Sequence, residues 1–214
     1  MKYAIPAMAS SLATTSTHHE FHIAPMQCYT NQPLRKLTGF LSPTSVKWTE
    51  MEKVDDLLPN LEHSLNKRIG GEENLTNLIL QLGSNNASKL QTCVRVASDR
   101  YPDLREINLN CGCPAIDTGG ATTYGASLMK DTSLTSRLVE SIASATDIPV
   151  SVKCRIGVFD TAQDVVPMGE KHYEYLYEFV TAVHDAGAHH VILHARPVIL
   201  YLRPVKNRIA PTLD

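Results

Sequence analysis

The chain has 214 residues, 43% of them hydrophobic and 20% charged, with a formal net charge of −2. That is an ordinary composition for a soluble globular protein and long enough for one domain with a sizeable core; it carries no overall basic excess of the kind that draws a protein to nucleic acid. No apolar run approaches the ~18 residues that a membrane span needs, and five cysteines, an odd number with no disulfide-like spacing, point to a reducing compartment.

Residues 1–19 hold many Ser, Thr and Ala, no acid, and Lys2 as their only full positive charge. Transit peptides share the serine and the lack of acid but are also rich in arginine. Two readings stand for residues 1–20: a disordered leader on a cytoplasmic protein, or a segment addressed to a mitochondrion or plastid. The folded domain is taken as residues 21–214.

From there short β-branched or apolar runs alternate with helix-like stretches. The runs are 21–25, 45–49, 78–82, 106–110, 149–153 and 190–194. They are too short for helices and read as buried parallel strands. Between the second and third, Val54, Leu57, Leu58, Leu61 and Leu65 suggest one helix ending near Gly70-Gly71. After Asn85 and Asn86, which suit an N-cap, Leu90, Cys93, Val94 and Ala97 share a helical face. Leu134, Leu138, Ile142 and Ala145 do the same after Asp131. Tyr173, Leu176, Val180 and Val183 follow Glu170, with Gly187 as a C-terminal stop.

Strands alternating with helices imply an α/β fold with a parallel sheet. A doubly wound dinucleotide-binding sheet would place a Gly-rich turn after its first strand, but that strand ends Ala24-Pro25-Met26-Gln27. Polar residues instead cap several strands: Glu50, Gln81, Asn110, Lys153 and His194. A (β/α)8 TIM barrel builds its site in this way, from many strand ends at one mouth. Six of the eight β/α units are legible, so the barrel is incomplete, and its last two strands would lie beyond Asp214. Such a sheet has two edges, and this stretch is expected to be marginal alone.

The densest chemistry lies in Ile107-Asn108-Leu109-Asn110-Cys111-Gly112-Cys113-Pro114. A thiol with an ordinary pKa near 8.5 is mostly protonated at neutral pH and can act as an acid. A cysteine here could equally be a small buried hydrophobe or one of a set of metal ligands, although Cys-x-Cys supplies only two of the four that zinc wants. The glycines of the loop from Gly119 to Met129 would let backbone approach a ligand, or simply keep a loop supple. Lys153 can offer positive charge to an electron-rich ring or sit solvated on a rim. His194 can donate to a phosphate or ring or be a satisfied rim residue. Gln81 can both donate and accept, at a ring edge or as a polar cap. Arg196, Arg203, Lys206 and Arg208 form a basic strip with no acid until Asp214.

These residues fall in a familiar order. Ala24-Pro25-Met26, Thr49-Glu50-Met51, Gln81-Leu82-Gly83, Asn108-Leu109-Asn110 with Gly112-Cys113-Pro114, Val152-Lys153 with Arg155-Ile156-Gly157, and His194-Ala195-Arg196 resemble the motifs of tRNA-dihydrouridine synthases over about residues 21–214. The stretch 202–214, with Pro204, Asn207-Arg208, Pro211 and Leu213-Asp214, resembles the corresponding loop of the bacterial A-type synthases, which act at positions 20 and 20a of the tRNA D-loop.

The resemblance implies an FMN-dependent oxidoreductase. Ala24, Pro25 and Met26 would pack on the FMN ring. Gln81, Lys153 and His194 would bind FMN, Asn110 would contact the target nucleotide of the tRNA, and Arg208 would contact the tRNA elsewhere. NADPH would reduce FMN, the flavin would give hydride to uracil C6, and Cys113 would protonate C5; no metal is implied. Cys111 has no role in this scheme. Four departures bear on it. The Asn-Gly and Gly-Arg motifs of the last two barrel loops and the helical tRNA-gripping domain do not occur in this sequence. Residues 158–172 look like an insertion, and 197–202 is unusually apolar. A non-catalytic tRNA-binding remnant and a different flavin barrel acting on a small pyrimidine are the alternatives.

Overall fold

The computed structural model describes residues 20–71, 74–114, 124–200, 202, 205–209 and 211. The leader at 1–19, Gly119 to Thr123 of the glycine loop, and Arg203 lie outside them. The six expected runs all become strands: β1 (His22–Ile23), β2 (Val46–Trp48), β4 (Leu78–Gly83), β5 (Glu106–Cys111), β6 (Val150–Arg155) and β8 (His190–His194). Their order in the sheet is β1-β2-β4-β5-β6-β8, and every pairing is parallel. The order follows the chain and never reverses. A doubly wound sheet reverses at its switch point, so this is a singly wound, curled sheet, part of a TIM barrel.

Three two-residue strands were not legible. β3 (Glu52–Lys53) adds to the C-terminal end of β4. β7 (Val158–Phe159) and β9 (Val198–Ile199) pair with each other in a separate ribbon. The 158–172 insertion and the apolar 197–202 segment are thus partners, which accounts for the apolar character of the latter: Val198, Ile199 and Leu200 are buried.

The helices α4 (Ala87–Arg100), α5 (Thr132–Ala143) and α6 (Glu170–Asp185) arise where the spacing predicts them. The side chains of Asn86 and Asp131 accept hydrogen bonds from the backbone N–H groups of Lys89 and Leu134, so each satisfies one orphan donor of the first turn. Gly187 ends α6 with φ +109, and a Cβ there would lie 2.9 Å from that of Ala143, so α5 and the end of α6 approach closely because the side chain is absent.

One expectation needs correction, and one helix was not foreseen. The single helix predicted from Val54 is three pieces, α2 (Val54–Leu57), a 3-10 turn (Leu58–Asn60) and α3 (Leu61–Ile69). Pro59 lacks the N–H that a continuous helix would use. A further helix, α1 (Gln32–Leu41), occupies the interval after β1, capped by Asn31 with Pro33 in its first turn.

The sheet has two unlike faces. Leu78, Leu80, Leu82, Ile107, Leu109, Cys111, Val150, Val152 and Cys154 point outward and pack with Leu90, Val94, Leu138, Ile142, Phe179 and Val183 of the helices. Burying each large aliphatic side chain contributes about 1.5–3 kcal/mol, so this layer is the main stabilising core. The inner face starts with Val46, Trp48, Ile79 and Ile192 and becomes polar toward the C-terminal ends of the strands. Among the described residues no helix is long and apolar enough to cross a membrane.

Candidate functional site

Alternation along β4, β5 and β6 brings Gln81, Asn108, Asn110, Ser151, Lys153 and Arg155 to the inner face, with Gln81 beside Asn108 and Asn110 beside Lys153 in register. Their side chains form a continuous hydrogen-bonded column. Asn110 Oδ1 accepts from the backbone N–H groups of Gly112 (3.1 Å) and Cys113 (2.9 Å). Asn110 Nδ2 donates to Gln81 Oε1 (2.9 Å), Gln81 Nε2 donates to Asn108 Oδ1 (2.8 Å), and Asn108 Nδ2 donates to Ser151 Oγ (2.8 Å). Backbone N–H groups can only donate, so Asn110 Oδ1 must face the turn. That choice fixes the orientation of each amide in succession. Four buried polar side chains are satisfied by one another, the condition under which a polar interior is tolerated.

The column ends at the turn that carries Cys113. Three other contacts hold this turn. Arg155 Nε donates to the Gly112 carbonyl at 3.1 Å. The Ala126 N–H donates to the Cys113 carbonyl at 2.9 Å. Gly125 has φ +67, and a Cβ there would meet Cys113 O at 2.6 Å, so only glycine allows this close approach. Cys113 is half-buried, whereas Cys111, two residues earlier, faces the helices and is fully buried. Burial pushes the thiols of Cys111, Cys93 and Cys154 up, the last two to about 12. These three thiols are packing groups, which accounts for Cys111.

Cations gather beside the turn. Burial lowers the Lys153 pKa, and the neighbouring Arg155 lowers it further. Arg155 is 7% exposed and held down at about 10, chiefly by burial, with Cys113 acting in the opposite direction and Arg196 in the same one. His194 is pushed down to about 4 by burial and then by Arg155, Lys153 and Arg196, so its imidazole is neutral at pH 7. Arg155 Nη1 is buried without a hydrogen-bond partner. Buried, uncompensated positive charge and an orphan donor are costly unless an electron-rich group meets them. An anionic, carbonyl-bearing ring such as that of FMN fits this donor set. Among the described residues no three His, Cys, Asp or Glu side chains come together as metal ligands.

The other expected site residues lie apart. Ala24, Pro25 and Met26 follow β1 at the outer strand of the sheet, in a turn closed by mutual bonds of Met26 and Thr30. Gln27 Nε2 ties that turn to Glu50 Oε2 at the end of β2 (3.0 Å). Arg208 is exposed on the 3-10 turn Lys206–Arg208. Buried Asn207 pins this turn to β9, accepting from Ile199 N (2.9 Å) and donating to Ile199 O (2.9 Å) and Leu202 O (2.8 Å). Sequence reasoning gave no role to Asn108, Ser151, Arg155, Gly125 or Asn207. The two-residue spacing of Asn108 with Asn110, and of Lys153 with Arg155, was the available signal.

Comparison with known proteins shows the family. The family model described as dihydrouridine synthase (Dus) matches residues 22–213. A protein of Shewanella oneidensis named tRNA-dihydrouridine(20/20a) synthase is 33% identical over 195 residues, covering 91% of this chain and 53% of the relative. Proteins of the same name from Pseudomonas syringae pv. tomato and Pseudomonas putida are 36% and 34% identical, covering 90% and 95% of this chain and 53% and 59% of the relatives. The chain spans about half the length of the curated relatives it matches.

Proposed function

Because the chain belongs to the dihydrouridine synthase family, we propose that it serves the reduction of uridine to 5,6-dihydrouridine in the D-loop of tRNA, with FMN as cofactor, NADPH as reductant and Cys113 as proton donor. The observation that carries this reading is the Cys113 turn, held by Asn110, Arg155 and Gly125 beside a group of buried cations. When bound, FMN supplies the hydride, and the protein orients the reacting groups.

Ala24, Pro25 and Met26 form one wall for the flavin ring in this scheme. Gln81, Lys153 and His194 hold its polar edge. Neutral His194 donates or accepts without adding charge, while Lys153 and Arg155 favour a ring that gains electrons. Asn110 has one Nδ2 hydrogen beyond the one it gives Gln81, and that hydrogen serves the target nucleotide. The uracil leaves its stack to reach the mouth, and the Cys113 thiol gives its proton to C5. Exposed Arg208 meets phosphate at the rim.

The test is to purify residues 1–214 with added FMN, record the visible spectrum, and incubate with NADPH and unmodified tRNA. Dihydrouridine is then counted by mass spectrometry. A flavin spectrum with dihydrouridine formation is expected, and Cys113→Ala should lower the rate about 10²–10⁴-fold while leaving the flavin bound. A Cys113→Ala protein as fast as the parent would remove Cys113 from the role of acid.

A further inference from the structure

Arg155 is both tied to the Cys113 turn and left with a buried nitrogen that has no hydrogen-bond partner. Its Nε holds the Gly112 carbonyl at 3.1 Å, one residue before Cys113. Its side chain is 7% exposed, and Nη1 has no partner. A guanidinium cannot shed its charge in this position, so it bears on whatever lies beside it. Cys113 acts electrostatically on Arg155 in the direction that favours the charged guanidinium, so the two groups lie close together.

We propose that Arg155 is the positioning residue of Cys113: it fixes the turn through Gly112 and offsets the negative charge left on Sγ when the thiol gives up its proton. This rests on the reading of Cys113 as the acid. The step balances as follows. The S–H bond breaks and its electron pair stays on Sγ. The C5–H bond forms from the pair that hydride addition at C6, from reduced flavin, moves onto C5. Solvent later restores the thiol. A thiolate in a half-buried site is costly by itself, and a fixed cation lowers that cost at the moment the charge appears. The other groups facing this point are Lys153 on β6, His194 at the end of β8 and Arg196 beyond it, and among the described residues no carboxylate is one of the charges acting on Arg155, Lys153 or His194. Lys153 and Arg196 act in the same sense as Arg155 but do not hold the Gly112 carbonyl.

The experiment is the pH dependence of iodoacetamide alkylation of Cys113 in the full chain, without flavin or RNA, read at the Cys113 peptide by mass spectrometry. The wild-type midpoint is expected below the ordinary thiol value of about 8.5. Arg155→Met should raise it by roughly one pH unit, and Arg155→Lys should restore most of that shift. A merely structural role would change the rate but not the midpoint. A wild-type midpoint at or above about 8.5 overturns the proposal without any variant. So does an Arg155→Met protein with a native circular dichroism spectrum and an unmoved midpoint. Should Arg155→Met unfold, the wild-type value and the Arg155→Lys midpoint decide. Failure here leaves uridine reduction standing, because that reading is tested by dihydrouridine formation alone.

Discussion

Replacing Asn110 by alanine should unsettle the polar interior far more than its size suggests. The change removes two bonds accepted from the Gly112 and Cys113 N–H groups and one donated to Gln81 Oε1. At about 1 kcal/mol net per bond, the loss is about 3 kcal/mol, and the stranded Gln81 acceptor keeps it from being smaller. With a urea m-value of about 2 kcal/mol/M, the unfolding midpoint should fall by about 1.5 M at constant m. Asn108→Ala removes two bonds of the same column, about 2 kcal/mol. Both variants disturb the one amide of Gln81, so the double variant should cost less than the sum by at least about 0.5 kcal/mol. Urea unfolding of the parent, both single variants and the double, followed by circular dichroism, measures all four corners. A midpoint shift below about 0.5 M for Asn110→Ala, or strict additivity, would refute the idea that these amides act as one unit.

Other outcomes follow from individual contacts. Glu52 is buried beside Arg68 (3.0 Å), and burial outweighs that attraction and raises its carboxyl from 4.5 to about 7. A raised pKa means that its contribution is complete below the unfolded value of 4.5 and is lost as pH rises through about 7. Melting temperatures from pH 4 to 8 should therefore show a decline that Glu52→Gln flattens. Gly125→Ala should cost about 1–2 kcal/mol from left-handed backbone alone. It should also displace the Cys113 carbonyl, lowering dihydrouridine formation by about 100-fold with little effect on flavin affinity; an unchanged rate would contradict the packing described for this glycine. Arg208→Ala should weaken tRNA binding and reduce the salt slope of log K by about one, whereas an unchanged slope would mean that Arg208 meets no phosphate.

The strands were legible because helices on the outer face demand an apolar residue at every second position, as at Leu78, Leu80 and Leu82 or Ile107, Leu109 and Cys111, in runs too short for helices. Helix α1 was not legible because its pattern is inverted. Leu37, Phe40 and Leu41 are 53%, 80% and 77% exposed, while Arg35 is buried, donating to the carbonyls of Thr30 (2.8 Å) and Arg68 (2.6 Å). Hydrophobic spacing cannot reveal a helix whose inward anchor is a cation. Strand-end polarity singled out Gln81, Asn110 and Lys153, which the structure sets side by side on the inner face, since the end of a strand is fixed by the strand itself. It could not show that Asn110 and Asn108 are joined through Gln81, because that depends on which register adjacent strands adopt. Nor could it show that Arg155 reaches Gly112, a contact made across two strands.

The ribbon of β7 and β9 makes two distant crossovers one mechanical piece. Arg208 sits next to Asn207, Asn207 grips Ile199, and Ile199 pairs with Phe159. Val198 N–H in turn holds the Gly157 carbonyl at 2.9 Å, two residues along the chain from Arg155. A pull on the exposed basic turn therefore has a short path of bonds to the guanidinium under the Cys113 turn. The exposed basic turn and the Arg155 end of β6 are thus joined through one small ribbon.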